Sequence, residues 1–165
     1  MKKIFFYALI ASTLNAEVIQ ETYTKQELEK LDNRSGAEIA KEYTQEISKT
    51  LPLKIDSWTK LTYATSINTK MYFKKEIDKR QDEKLKKLLS TKQGEQAFIK
   101  AIYKTRRNEV CSNPLNRANI DKKNVGFQDD YYDSETKKYI GSFSIDKSDC
   151  IKLDQEQKRG KNPLL

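Results

Sequence analysis

The stretch GFQDDYYDSETKKYIGSFSIDKSDC, residues 126–150, decides the fold. Successive side chains of an extended chain point to opposite faces, so GFQDDYYD sets Phe127, Asp129 and Tyr131 on one side. KYIGSFSID repeats the pattern with Tyr139, Gly141, Phe143 and Ile145. The polar DSETK between the two runs predicts a hairpin turn. Cys150 comes directly after the second strand, in a chain of 165 residues with two cysteines and no histidine.

Upstream, the same alternation occurs once more. Leu53, Ile55, Leu61 and Tyr63 share one parity, Ser66 to Thr69 reads as a turn, and Met71, Phe73 and Ile77 continue the pattern, which predicts a first hairpin. Before it, Ser35-Gly36-Ala37-Glu38 has the spacing of a capping box, and Ile39, Ala40, Tyr43 and Ile47 recur at helical intervals. These predict a helix over about 36–49, stopped by Leu51-Pro52, because proline disfavours helical geometry in the residue before it. Between the hairpins, Leu85, Leu88 and Leu89 and then, past a possible break near Gly94, Phe98, Ala101, Ile102 and Thr105 describe a second helical region that ends at Cys111. The predicted class is α+β, in the order α-ββ-α-ββ: one antiparallel sheet of about four strands in two hairpins, helices on one face, and one disulfide.

The N-terminus supplies the compartment. MKKIFFYALIASTLNAEV has two lysines, a short apolar run and a small residue at Ala16, as a secretory signal peptide requires. The run of about 11 residues falls short of the roughly 20 that span a bilayer. The domain reading is therefore a signal peptide at 1–16, a lead-in at 17–34, the α+β domain at 35–152 and a basic flexible tail at 153–165. Cleavage after Ala16 removes Lys2 and Lys3, leaving 30 Lys+Arg against 24 Asp+Glu, a net charge of +6. Lysine and glutamate are interspersed through 74–109, so this charge reads as solubility chemistry, and export makes nucleic acid an unexpected partner. The expected location is outside the cytoplasm, periplasmic or fully secreted.

In an oxidising compartment two cysteines are most simply a disulfide, Cys111 to Cys150. Closing a loop of about 40 residues contributes about 4 kcal/mol in the chain-entropy account. A metal site asks for more cysteines or histidines at short spacing, and a nucleophilic cysteine asks for a histidine base. The sequence has neither, so no metal, cofactor or catalytic residue is assigned. Asp129 and Asp130 point to opposite faces of a strand, which makes them solvated charges and not a working carboxylate pair. The chain reads as a non-enzyme.

Binding is the remaining class. If Leu53, Ile55, Leu61, Tyr63, Met71 and Phe73 face the helices, Trp58 and Tyr72 point to the other side of the sheet, joined by Tyr132 and Ile140. Aromatic side chains on a wet face suit a protein partner. A second reading of the same four residues, as a cover for the sheet or a contact for the lead-in segment, stands beside it.

The order of these elements carries a resemblance. IAKEYTQEISKTLPLKIDSWTKLTYATSINTKMYF, then VCSNP, then YYDSETKKYIGSFSIDKSDC, together resemble the small disulfide-bonded pilotins of the AspS type in type II secretion, over roughly residues 37–150. The resemblance implies a periplasmic, chaperone-like domain that binds a segment of a secretin or another envelope assembly protein. Those pilotins are lipoproteins, whereas Asn15-Ala16-Glu17 offers no cysteine to acylate, so no lipid anchor is expected. The Lys-rich segment from Lys74 to Gly94 is a further departure. The alternative function is a secreted inhibitor or effector that blocks an enzyme or receptor through an exposed loop at Ser112–Asn124.

Overall fold

The computed structural model describes residues 33–161. The predicted signal peptide, and the lead-in apart from its last two residues, lie outside this range. Eleven elements succeed one another: α1 (Gly36–Ser48), β1 (Leu53–Lys54), β2 (Thr59–Ile67), β3 (Lys70–Ile77), a 3-10 turn (Lys79–Gln81), α2 (Glu83–Leu88), α3 (Lys92–Ser112), α4 (Pro114–Lys123), β4 (Gly126–Asp133), β5 (Tyr139–Ile145) and α5 (Lys147–Lys161). The class is α+β, as the pattern of elements predicts.

The capping box of α1 forms in full. Ser35 Oγ accepts from the Glu38 amide at 3.2 Å, and Glu38 Oε2 accepts from the Ser35 amide at 2.8 Å. Thr91 caps α3 in the same manner, its hydroxyl accepting from the Gly94 amide. Gly94 therefore lies in the first turn of the helix and does not break it. A Cβ there would sit 1.7 Å from the Leu88 carbonyl oxygen, so the close turn from α2 into α3 admits only glycine.

The sheet has five strands in the order β1-β2-β3-β4-β5. β2 pairs with β3 and β4 with β5 antiparallel, as the two hairpins require. The join between them is parallel, Lys70↔Gly126 through Ile77↔Asp133, so the sheet is mixed where an antiparallel one was expected. The cause lies between the strands: β3 leaves through α2, α3 and α4 before the chain returns, and a crossover of that length brings the next strand back in the same direction. The two-residue β1, paired through Leu53↔Leu61 and Lys54↔Lys60, supplies the fifth strand.

Two further segments differ from expectation. The predicted loop at Ser112–Asn124 is mostly helix: Asn113 caps it, Pro114 occupies its first turn, and Asn124 ends it in the left-handed region at φ 56°. The predicted tail is helical over 153–161, the second half of α5, with Leu153 buried among the core residues; 162–165 lie outside the described residues. Asp146 starts that helix by accepting from the Ser148 amide at 2.7 Å, while Asp149 accepts from the Asp146 amide at 3.0 Å.

The helices cover one face of the sheet. Ile39, Ala40 and Ile47 of α1 meet Leu61, Ala64, Met71 and Phe73, and the same cluster continues through Phe127 and Ile145 to Val110, Ile120 and Leu153. Beside it, Ile77, Tyr131 and Ile140 close on Leu85, Leu89 and Phe98. Cys111 in the last turns of α3 and Cys150 in the first turn of α5 are bonded, with Cα atoms 5.2 Å apart. Among the described residues no helix is long and apolar enough to cross a membrane.

Candidate partner-binding face

Among the described residues no helix covers the other face of the sheet, and β4 displays the difference residue by residue. Phe127, Asp129, Tyr131 and Asp133 are buried; Gln128, Asp130 and Tyr132 between them are half-buried. On the covered side Asp129 is 1% exposed, its Oδ2 taking a bond from Lys75 Nζ at 2.7 Å with Arg106 Nε 3.6 Å away. It is therefore not the solvated charge that its neighbour in sequence suggests. The Tyr131 hydroxyl stands 3.3 Å from the same ammonium. Burial pushes the Lys75 ammonium down, and Asp129 opposes it. Burial likewise drives the Tyr131 hydroxyl up, reinforced by the Asp129 carboxylate. This cluster lies beneath α3, and none of its members lines the cleft beside β5 or the one between α1 and β2. Its role is to hold β3, β4 and α3 in register.

The open face is a different surface. Tyr63, 55% exposed, and Ile67, 60% exposed, stand on β2; Tyr72 lies on β3, Tyr132 on β4 and Tyr139 on β5. Tyr132 and Tyr139 meet edge to face with centroids 5.4 Å apart, and Lys74 Nζ sits 4.8 Å above the Tyr132 ring. Lys70 Nζ lies 5.6 Å from the Tyr72 centroid and donates to Ser144 Oγ at 2.9 Å. Ser144 in turn donates to Gln128 Oε1 at 2.6 Å, and Tyr139 donates to Ser142 Oγ at 2.6 Å. Rigid aromatic rings, held by cations and hydroxyls on a sheet face, provide contact area at low entropic cost.

Of the four residues expected on this face, Tyr72 and Tyr132 are there. Trp58 and Ile140 are not: Trp58 packs against Phe98 with centroids 5.8 Å apart, and Ile140 is 5% exposed in the same cluster. Two β-bulges explain most of the exchange. Between Leu61 and Tyr63 the register shifts, which makes Thr62 the extra residue and turns Tyr63 outward. Opposite Tyr131 and Tyr132 the register shifts again, so Ile140 is the extra residue; it turns inward and Tyr139 outward. Trp58 precedes β2 in the Asp56 turn, where Asp56 Oδ1 accepts from the amides of Trp58 and Thr59, so strand parity does not govern it. Tyr63 and Tyr139 are the face residues that alternation alone misses.

The face continues around the free edge of β5 into a cleft of about 470 Å³ beneath α3. Ile99, Tyr103, Ile140 and Phe143 line its apolar part, with Lys92 and Lys100 on the rim. Gly141 permits this approach of helix to strand, since a Cβ there would meet Ile99 Cγ1 at 2.7 Å.

No protein-family model matches the sequence, and no curated protein matches it. Solved structures do. A candidate secreted protein from Pseudomonas aeruginosa aligns over 70% of this chain and 92% of its own, at 12% identity and a TM-score of 0.54. The pilotin EpsS of the Vibrio vulnificus type 2 secretion system aligns over 70% and 91%, at 11% identity and a TM-score of 0.55. The type II secretion pilotin AspS from Vibrio cholerae aligns over 74% and 96%, at 15% identity and a TM-score of 0.47. At these identities the likeness is one of fold: the chain, stapled by its own disulfide, shares the α+β architecture of the Vibrio vulnificus pilotin.

Proposed function

We propose that the protein is a non-enzymatic accessory protein of the cell envelope that captures a segment of an envelope or secretion-system protein. Tyr72, Tyr132, Tyr63 and Tyr139 are its contact residues. The observation that carries this reading is a sheet face that no described helix covers, bearing four tyrosines, on a fold shared with a type II secretion pilotin. The Lys75–Asp129–Arg106 cluster adds support from the other side, because its charges are paired with one another beneath α3 and line neither of the two clefts. The location in this reading is periplasmic, reached through the N-terminal signal peptide. The inhibitor alternative loses its presenting element, since Pro114–Lys123 is a helix with Ile120 fully buried.

The test is affinity capture of the tagged chain, crosslinked in the cells that make it, from envelope and culture fractions. Recovery of a secretin or another outer-membrane assembly protein, lost on Tyr132→Ala with Tyr139→Ala, is the expected result. Recovery of a soluble enzyme, unaffected by those substitutions, contradicts the reading.

A further inference from the structure

The two edges of the sheet are treated differently. At one edge β1 is only two residues long, and beyond it Ser48 of α1 donates to the Ala64 carbonyl of β2 at 3.0 Å. Short strands and covering helices are ordinary ways of blunting an edge. At the other edge β5 reads Tyr-Ile-Gly-Ser-Phe-Ser-Ile, with no charge and no proline. Among the described residues its backbone makes no hydrogen bond beyond the ladder to β4. The bulge at Ile140 interrupts that ladder, which leaves Gly141–Ile145 as a regular, unpaired row of amides and carbonyls. The apolar cleft under α3 runs beside this row.

The rim of the cleft is cationic. Lys100 is exposed and makes no ion pair among the described residues. Lys92, with 74% of its side chain exposed, stands 3.5 Å from Glu95, whose other oxygen is taken by Lys138 at 2.7 Å. We infer that β5 receives an extended, acidic segment of the partner protein as a sixth strand, paired along Gly141–Ile145, with its carboxylates beside Lys92 and Lys100. Main-chain bonds would supply affinity and alternate side chains specificity. One row of side chains enters the cleft toward Ile99 and Phe143, and the other reaches Tyr139 on the open face. This inference rests on the proposed capture function and names the conformation and charge of the captured segment.

The probe is a synthetic peptide of about eight residues, alternating valine and threonine with two aspartates at each end. Two controls accompany it: the same peptide with lysine ends, and the aspartate peptide N-methylated at alternate residues. Binding is followed by fluorescence anisotropy, and amide hydrogen exchange is read on the full chain. The expected result is slowed exchange at Gly141–Ile145, with the N-methylated and lysine-ended peptides each at least about tenfold weaker. Lys92→Glu with Lys100→Glu should remove the preference for aspartate ends.

Equal binding of the N-methylated peptide, or unchanged exchange at Gly141–Ile145 at millimolar peptide, overturns the inference. So does protection already present in the free chain, whether it is lost on dilution, which assigns the edge to a second copy, or lost on deletion of residues 17–32, which assigns it to the chain itself. In each of these cases capture of an envelope protein dependent on Tyr132 and Tyr139 would still stand, so the two failures are told apart.

Discussion

Asp129 and Tyr131 on one face of β4, and Asp130 and Tyr132 on the other, are the same residue types in the same order one position apart. The first pair is sealed in a charged cluster with Lys75 and Arg106; the second is half-exposed among tyrosines, serines and lysines. The difference comes from the helices alone, since a strand presents its side chains symmetrically and only their cover distinguishes its faces. Among the described residues one face is buried beneath the helices and the other stays half-exposed. Residue type therefore says little here without the burial that the topology imposes.

The largest expected effect tests that division directly. Asp129→Ala leaves Lys75 buried without its counter-charge and Arg106 with Glu109 alone, and should lower stability by about 3 kcal/mol. Asp130→Ala removes a bond from Gln128 on the open face and should change stability by about 0.5 kcal/mol or less. Denaturant melts of the two variants should separate widely, and equal losses would erase the contrast between the faces.

The disulfide comes next. Cys111 and Cys150, 39 residues apart, tie α3 to α5 on the covered side, and Cys111→Ser with Cys150→Ser should cost about 4 kcal/mol. Hydrogen exchange should rise first in α5 and the end of α3, while the β2–β3 hairpin keeps its protection. Uniform loosening of the whole sheet would mean that the staple does more than hold the helical layer.

Asp133 extends the covered row of β4 to its last residue and gives the comparison a pH dependence. Burial alone would raise its carboxyl, but Lys79 Nζ at 2.7 Å and the amides of Thr136 and Glu135 outweigh burial and bring it down to about 2. A carboxyl depressed in the folded state stabilises at pH above its unfolded value of about 3.9 and loses that contribution as pH falls toward the folded value. Wild type should exceed Asp133→Asn by about 2 kcal/mol at neutral pH. The gap should close between about pH 4 and pH 2. A gap that is constant across this range would assign the effect to packing.

Much of the fold was legible because it rests on local rules. The Ser35–Glu38 box, the two alternating hairpins and the pairing of the only two cysteines each depend on a few adjacent residues, and so did the likeness to the pilotin architecture. The parallel join of β3 to β4 was not legible, because strand direction depends on where the intervening helices run. α4 and α5 were missed because their helical surfaces hold few apolar residues, although Asn113-Pro114 and Asp146-Lys147-Ser148-Asp149 are start signals that capping rules recognise. On the candidate face, Tyr72 and Tyr132 obeyed parity. Tyr63, Tyr139 and Ile140 did not, because each lies at a bulge, and a bulge inverts the parity of the strand beyond it without marking the sequence.

A small effect on stability accompanies the largest expected effect on function. Tyr132→Ala with Tyr139→Ala should cost about 1 kcal/mol or less, since these rings meet on an exposed face. The most direct measurement places a photo-crosslinking amino acid at Tyr132, and in a separate variant at Lys41 on the exposed side of α1, in the cells that make the protein. The account predicts crosslinks from Tyr132 to a secretin or another envelope assembly protein and none from Lys41. Crosslinks from Lys41 alone, or from Tyr132 to a soluble enzyme, would contradict it.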